Sequence, residues 1–425
     1  MTGQKTEGQP KNSAGGSTCR FCGAGLSESF VDLGSSPLCQ KHIPLAKAQE
    51  AELFFPLHAF VCSKCFLVQL DEFVVPSDIF GDGQYAYFAS FSDSWLAHAR
   101  RYVDNVSERF GLGKDSFVVE IASNDGYLLQ NFVQRGVPVL GIEPASNTAA
   151  AAREKGVESR VCFFGSETAR QLVSEGKRPD LLLGNNVLAH VPDVNDFVQG
   201  MKLLLKDTGV ITMEFPHLVR LIAENQFDTI YHEHFSYFSF TTVKRIFARH
   251  GIRLFDVEEL PTHGGSLRIY GCHDQAAHKD TARVGALLAQ EAELGVETLA
   301  YYSTFAEKVR ETKRCLLEFL IQAKRQRKSV VGYGAPGKGN TLLNYCGIRR
   351  DFVDYTVDRS PHKQNNLLPG SRIPIHAPEK IFETKPDYIL ILPWNLKEEI
   401  MKQMADVRKW GAKFVVPIPT AKVFE

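Results

Sequence analysis

Four short apolar runs punctuate the middle of the chain: FVVEIAS (117–123), PVLGIEP (138–144), DLLLGNN (180–186) and GVITMEF (209–215). Uninterrupted runs of this length, followed by turn residues, are the pattern of parallel strands buried on both faces. Between them lie helical segments such as SNTAAAAREKG (146–156) and VNDFVQGMKLLL (194–205). Strands alternating with helices predict a doubly wound sheet. From Asp280 to Gln326 the period changes. Val284, Leu287, Leu288, Leu294, Tyr302, Phe305, Val309, Leu316, Phe319 and Leu320 recur at mostly helical spacings, which predicts one or two long amphipathic helices. The alternation then restarts in KSVVGYG (328–334), DFVDYTVD (351–358), DYILILP (387–393) and AKFVVPIP (412–419), a second and smaller α/β unit.

Composition narrows the class. The 425 residues suffice for two or three domains, each with its own core. With 49 basic and 49 acidic side chains the formal charge is zero, which argues against a nucleic-acid or acidic-membrane partner. No apolar run approaches the roughly 20 residues needed to span a bilayer. The first residues, MTGQKTEGQPKNSAGGST, are polar and lack a hydrophobic signal core, so a disordered tail is expected over 1–18. Nine mostly scattered cysteines suit a reducing cytosol better than a disulfide framework, and a cytoplasmic location is expected.

Two cysteine pairs stand apart from the rest. Cys19-Arg-Phe-Cys22 and Cys62-Ser-Lys-Cys65 are two C-x-x-C knuckles, and tetrahedral zinc needs four soft ligands on two tight turns. A zinc-binding module over 19–75 follows. Cys39 and His42 lie between the pairs and could replace one ligand, though neither has a partner at knuckle spacing. Four thiolates leave no open position, so the zinc is expected to organise a fold and not to do chemistry.

The turn Glu120-Ile-Ala-Ser-Asn-Asp-Gly126 follows the first central strand, before a helix expected from Tyr127 and Leu128, and Glu143-Pro144 follows the next strand. A small-residue turn at a strand end lets a ligand approach, and an acidic residue some 20 positions later can grip ribose hydroxyls. This turn carries Asn124 and Asp125 and only one glycine, so it suits a cationic, phosphate-free ligand, S-adenosylmethionine, better than NAD. Asn185, Asn186 and His190 follow the third of these strands at the same sheet edge, where the methyl would be presented. Phe163 and Phe164 could flank the adenine or could be core. Tyr231-His-Glu-His234 is the densest set of reactive groups in the chain. His232 and His234 share a face only on a strand, and the H-E-x-x-H zinc spacing is absent, so acid–base work is the better reading.

In order along the chain, the C-x-x-C pairs, E-I-x-S-N-D-G, G-I-E-P, N-V-L-A-H-V, Y-H-E-H-F-S-Y-F-S, H-G-G-S-x-R and G-Y-G-A-x-x-K resemble the nucleotide-sugar C-methyltransferases of deoxysugar pathways. The resemblance runs from about Cys19 to the C-terminus. It implies a class I, Rossmann-like methyltransferase domain using S-adenosylmethionine (76–278), between the zinc module and a smaller Rossmann-like domain that anchors the nucleotide sugar (279–425). It implies His234 as the base, with Glu233 and Tyr231 orienting it or the sugar. It places a substrate-facing tyrosine at Tyr85, with Tyr87 the rival, and His263 and Gly264 beside the sugar. Ala122 departs from the family's usual Gly, and tighter packing on the cofactor is expected. The implied substrate is a nucleoside-diphosphate-linked 4-keto-6-deoxy sugar, with dTDP as the nucleotide and GDP or CDP as alternatives. The chain is expected to be a monomer or a weak homodimer. An O- or N-methyltransferase, an NAD-dependent sugar-nucleotide enzyme and a zinc-module binding protein remain alternatives.

The stretch Gly332-Tyr333-Gly334-Ala-Pro-Gly337-Lys338-Gly339 fits G-x-G-x-x-G and most of a P-loop. The P-loop reading fails at Gly339, where a magnesium-binding Ser or Thr belongs. Asp358, some 20 residues on, supports a ribose-diphosphate ligand, which includes the nucleotide half of a sugar donor. Lys338 would face the diphosphate, and Asp358, Lys363 or Trp394 the ribose and base.

Overall fold

The computed structural model describes residues 17–75, 85 and 87–425. The expected tail therefore lies, through residue 16, outside the described residues, as does the start of the central domain expected at residue 76. All four central apolar runs are strands and are almost wholly buried. They belong to a seven-stranded sheet ordered Ile252–Leu260, Ser266–His273, Val210–Pro216, Leu181–Asn185, Val118–Ile121, Val139–Ile142, Ser159–Arg160. The last five run parallel, and Ser266–His273 is antiparallel to both of its neighbours. Strand order reverses between Val118–Ile121 and Leu181–Asn185, which opens a crevice beyond their carboxyl ends.

Capping side chains fix where the surrounding helices begin. Ser92 accepts from the Trp95 amide to start Asp93–Phe110. Asp193 accepts from Asp196 to start Val194–Leu204, and Ser239 from Thr242 to start Phe240–Arg249. Each satisfies a backbone N–H that the first turn leaves without a partner. The 280–326 block forms two long helices, Ala282–Glu293 and Phe305–Arg325, with the short Leu299–Ser303 between them. The break falls at Gly295, whose φ of 77° ends the first helix in the left-handed region.

A six-stranded C-terminal sheet is ordered Ile375–His376, Thr356–Val357, Val330–Tyr333, Tyr388–Ile391, Lys413–Val416, Lys422–Phe424. Its first five strands are parallel. Its order reverses beside Gly334, so a second crevice opens there. In the expected strand 351–358 only Thr356–Val357 pairs.

Between the two α/β units sits the N-terminal sheet. Glu28–Ser36, Phe55–Val61 and Val68–Leu70 are joined by Ser236–Tyr237, all antiparallel. The fourth strand therefore comes from the chain directly after Tyr231-His-Glu-His234. One face of this module packs into the C-terminal core, where Phe30 stacks on Phe305 at 4.4 Å. Its cysteine end packs with Phe238, Phe240 and Val243 in the core of the central sheet. The module is a wedge shared by both cores.

Candidate active site

Cys19, Cys22, Cys62 and Cys65 bring their sulfurs within 4.8 Å of one another. The Cys19–Cys65 and Cys22–Cys62 pairs stand at 3.5 Å. Zinc–sulfur bonds of about 2.3 Å in a tetrahedron place sulfurs about 3.8 Å apart, so the four thiolates fit a closed structural site. Gln69 Nε2 donates to Cys19 Sγ at 3.2 Å and the Lys64 amide to Cys62 Sγ at 3.4 Å, bonds that orient metal ligands. Cys39 and His42 are not members of this cluster. The first knuckle is bonded into the central domain. Arg20 donates to the carbonyls of Pro192, at 2.6 Å, and Leu70, and its guanidinium lies over the Phe235 ring. Asn195 donates to the carbonyls of Arg20 and Phe21.

A cavity of about 1100 Å³ runs from the central crevice to the C-terminal one. At its first end stand Ala122, Asn124, Tyr127, Glu143, Pro144, Phe163, Phe164, Asn185, Asn186 and His190. Glu143 is pinned by the Asn124 and Ala145 amides at 2.8 and 2.9 Å, one on each oxygen, which fixes its carboxylate at the strand end. Ala122, Asn124 and Asn186 all have φ near +50°, a conformation that costs a residue with a Cβ about 1 kcal/mol. Such strain gathers where a turn is shaped for a ligand. Asn124 spends its side chain on the Ala89 amide and the Tyr87 carbonyl, and Asp125 accepts from Lys155 and Ser90. These two residues clasp the 87–90 segment over the crevice. Asp125, Gly126 and Leu128 lie behind the lining. So does Glu120, fully buried, with neither carboxyl oxygen partnered among the described residues. Burial, reinforced by Glu143, pushes the Glu120 carboxyl well above the usual carboxylate range, which leaves Glu143 as the carboxylate on the cavity wall.

In the middle of the cavity His234 Nδ1 donates to the Thr229 carbonyl at 2.8 Å. A carbonyl only accepts, so this bond leaves the lone pair on Nε2. Burial, reinforced by the His190 imidazole, holds His234 well below the usual histidine range, so it is neutral at pH 7. Its ring lies 4.0 Å from Tyr231 and 4.6 Å, edge-on, from His190. Glu233 accepts from Cys39 Sγ at 3.6 Å and Tyr85 Oη at 3.5 Å. Burial pushes Glu233 up to about 7, against those two bonds and Lys363. The two histidines diverge: His232 points away, to the Pro56 carbonyl at 3.1 Å. Tyr87 lines the cavity beside Tyr85, and His263 meets Asn186 at 2.9 Å.

At the far end Lys338 lies in the first turn of the helix Gly337–Cys346. It bonds Asn395 Oδ1 at 2.9 Å and lies over the Trp394 ring. Trp394 itself donates to Asp228 at 2.7 Å, and burial raises that carboxyl to about 6. Lys338 and Lys363 line the cavity; Tyr333, Gly334, Asp358, Trp394 and Gly264 do not. Asp358, expected on a ribose, accepts from the Ala335 and Ser360 amides at 2.7 and 2.8 Å and so ties down its own loop. Tyr333 turns its hydroxyl to Gln403. Gly334 has φ of 90°, and a Cβ there would lie 2.5 Å from Pro393. Gly264 likewise makes room for Trp394, so the H-G-G-S loop is a contact between the α/β units.

Trp95 and His98, one turn apart on Asp93–Phe110 and both on the cavity wall, belong to no motif in the sequence. Trp95 stacks on His98 at 4.9 Å and meets His263 edge-on at 5.0 Å. His98 and Arg268 both reach Glu214 Oε2, at 2.9 and 2.7 Å. Against the upward push of burial, they hold Glu214 down to about 2. The helical spacing of Trp95 and His98 was a usable signal; the distant Glu214 was not.

Three family models match consecutive parts of the chain: a zinc binding domain at 19–80, a methyltransferase domain at 95–257 and a C-methyltransferase C-terminal domain at 261–419. The C-methyltransferase NovU of Streptomyces niveus is 36% identical over 405 residues, covering 95% of this chain and 96% of its own. A ubiquinone biosynthesis O-methyltransferase of Rhodopseudomonas palustris (strain BisA53) is 28% identical over 96 residues, covering 23% of this chain and 38% of its own. Among solved structures, magnesium protoporphyrin IX methyltransferase (ChlM) from Synechocystis PCC 6803 with bound SAM is 15% identical. It covers 43% of this chain and 82% of its own at a TM-score of 0.32.

Proposed function

This chain belongs to the S-adenosylmethionine-dependent C-methyltransferases, with a class I Rossmann-like methyltransferase domain and a four-cysteine zinc module. From that premise we propose that it methylates a ring carbon, C3 or C5, of a nucleoside-diphosphate-linked 4-keto-6-deoxy sugar. The observation that carries this reading is the neutral His234, its Nδ1 committed to Thr229, in a cavity that joins the methyl-donor crevice to Lys338. Glu143, Pro144, Phe163, Phe164, Asn185 and Tyr127 are the residues that would hold S-adenosylmethionine, which supplies an electrophilic methyl when bound.

Carbon is a poor nucleophile until a proton beside a ketone is removed. His234 Nε2 takes that proton from the carbon next to the C4 carbonyl. The imidazolium it becomes is stabilised by the charge of the enolate and of the substrate's diphosphate, which offset the desolvation that otherwise keeps the imidazole neutral. Tyr231, whose ring lies against His234, is the donor for the developing enolate oxygen, while Tyr85 gives its one proton to Glu233. Glu233 orients Tyr85 and a sugar hydroxyl. Lys338, at a helix N-terminus with Asn395 at its side, receives the diphosphate. Tyr231 and His234 are half-buried on the cavity wall, in a chamber that limits the access of bulk water to the reacting carbon.

The test uses a methyl-13C donor with a panel of dTDP-, GDP- and CDP-linked 4-keto-6-deoxyhexoses, and reads products by mass spectrometry and NMR. The expected product carries its labelled methyl on a ring carbon. A methoxy or N-methyl product contradicts the reading.

A further inference from the structure

Cys39 was a spare zinc ligand on sequence grounds, yet the fold delivers it to the other end of the module, against Glu233. Its side chain is 2% exposed, and its sulfur lies 3.6 Å from Glu233 Oε1. Two features hold it there. Asn340, on the first turn of the helix Gly337–Cys346, donates to the Cys39 carbonyl at 2.6 Å. Gly337 opens the same helix, and a Cβ on it would stand 2.9 Å from Cys39 Sγ and 3.6 Å from Tyr231. The missing Cβ is what lets the thiol pass between the helix and the catalytic segment. The next residue of that turn, Thr341, donates to the Ile230 carbonyl. One helical turn, which also carries Lys338, thus grips both Cys39 and the chain leading into Tyr231-His-Glu-His234.

We propose that Cys39 is a positioning residue: its thiol donates to Glu233, aims that carboxylate at Tyr85 and the sugar, and keeps it ionised. The inference rests on the role given to Glu233 above. Four groups face this carboxylate: Cys39 from the N-terminal module, Tyr85 from the segment before Asp93, Lys363 from the C-terminal unit, and Tyr231 on its own segment. Cys39, Tyr85 and Lys363 all favour the charged form, against burial. A thiol deep in apolar surroundings does not ionise, and burial together with Glu233 pushes Cys39 up, so it remains a donor throughout. Removing a donor to a carboxylate raises the pKa of that carboxylate. If ionised Glu233 is the working form, the acid limb of kcat/KM moves to higher pH.

The experiment measures kcat/KM against pH for the full-length protein, Cys39→Ala, Cys39→Ser and Glu233→Gln, with S-adenosylmethionine and a dTDP-linked 4-keto-6-deoxyhexose. In Cys39→Ala the acid limb is expected about half a unit higher, a loss of about threefold on that limb, closing at alkaline pH. Cys39→Ser, whose hydroxyl also donates, is expected to keep the parent limb or lower it. A Cys39→Ala profile whose limb coincides with the parent's, whatever its height, overturns the proposal. If the alanine variant does not fold, a limb raised in Cys39→Ser does the same. Glu233→Gln separates the two layers. A limb that survives there overturns the Glu233 reading and the proposal with it. A limb that vanishes there but is unmoved in Cys39→Ala overturns the proposal alone.

Discussion

Replacing His234 with glutamine lowers turnover about 10³-fold, with methyl-donor affinity and thermal midpoint close to those of the parent. Glutamine can still donate to the Thr229 carbonyl from its amide nitrogen, so the local fold keeps its bond. It has no lone pair basic enough to take a proton from carbon. His190 lies close by and belongs to the same cavity, but its position against His234 is edge-on, and burial holds it at about 4. That edge-on placement does not bring a His190 nitrogen to where His234 Nε2 stands, so most of the loss stays in place. Equilibrium binding of S-adenosylmethionine and single-turnover methyl transfer check the two halves of this expectation. Near-parental turnover in a folded Gln variant would remove His234 from the chemistry.

Cys62→Ser is expected to unfold more than the zinc module. Zinc in a four-thiolate site contributes on the order of 10 kcal/mol to folding, and a lost thiolate forfeits most of that. Here the module is a wedge in both cores, so the loss reaches the catalytic segment. Leu70 N donates to the Phe235 carbonyl at 3.0 Å, Ser236–Tyr237 completes the module's sheet, and Arg20 spans from the knuckle to Pro192 and Phe235. The expected result is zinc content near zero, a large fall in thermal midpoint and no measurable turnover. Hydrogen exchange should rise across 231–237 as well as 19–70. A zinc-free Cys62→Ser protein with parental exchange at 231–237 would show that the module supports only itself.

The parallel strands were legible because burial on both faces leaves a continuous apolar run, as in Leu181–Asn185. The antiparallel pair Ile252–Leu260 and Ser266–His273 was not, since Asp256, Glu258 and Arg268 break the run. In the fold these charges are paired, Arg268 with Glu214 and Glu258, Asp256 with Arg109 and Arg283. Local motifs carried the two cysteine knuckles and Tyr231-His-Glu-His234. At Asp358 a 20-residue offset suggested a ribose ligand; what the fold adds, unseen in the sequence, is that the carboxylate closes its own loop through Ala335 and Ser360. Spacing was silent at Cys39, whose partner Glu233 is 194 positions away. Contacts of that length arise from how three layers dock, and no short window contains them.

Proton exchange at the sugar carbon isolates the step assigned to His234. The nucleotide-linked 4-keto-6-deoxy sugar is incubated in deuterated water with the protein and without S-adenosylmethionine. NMR then follows the hydrogen beside the ketone. Protein-dependent exchange of that single hydrogen is expected, lost in His234→Gln and retained at parental rate in Arg314→Gln, a change in an exposed ion pair on Phe305–Arg325. No exchange in a parent protein that goes on to methylate when the donor is added, or undiminished exchange in His234→Gln, would contradict a histidine base.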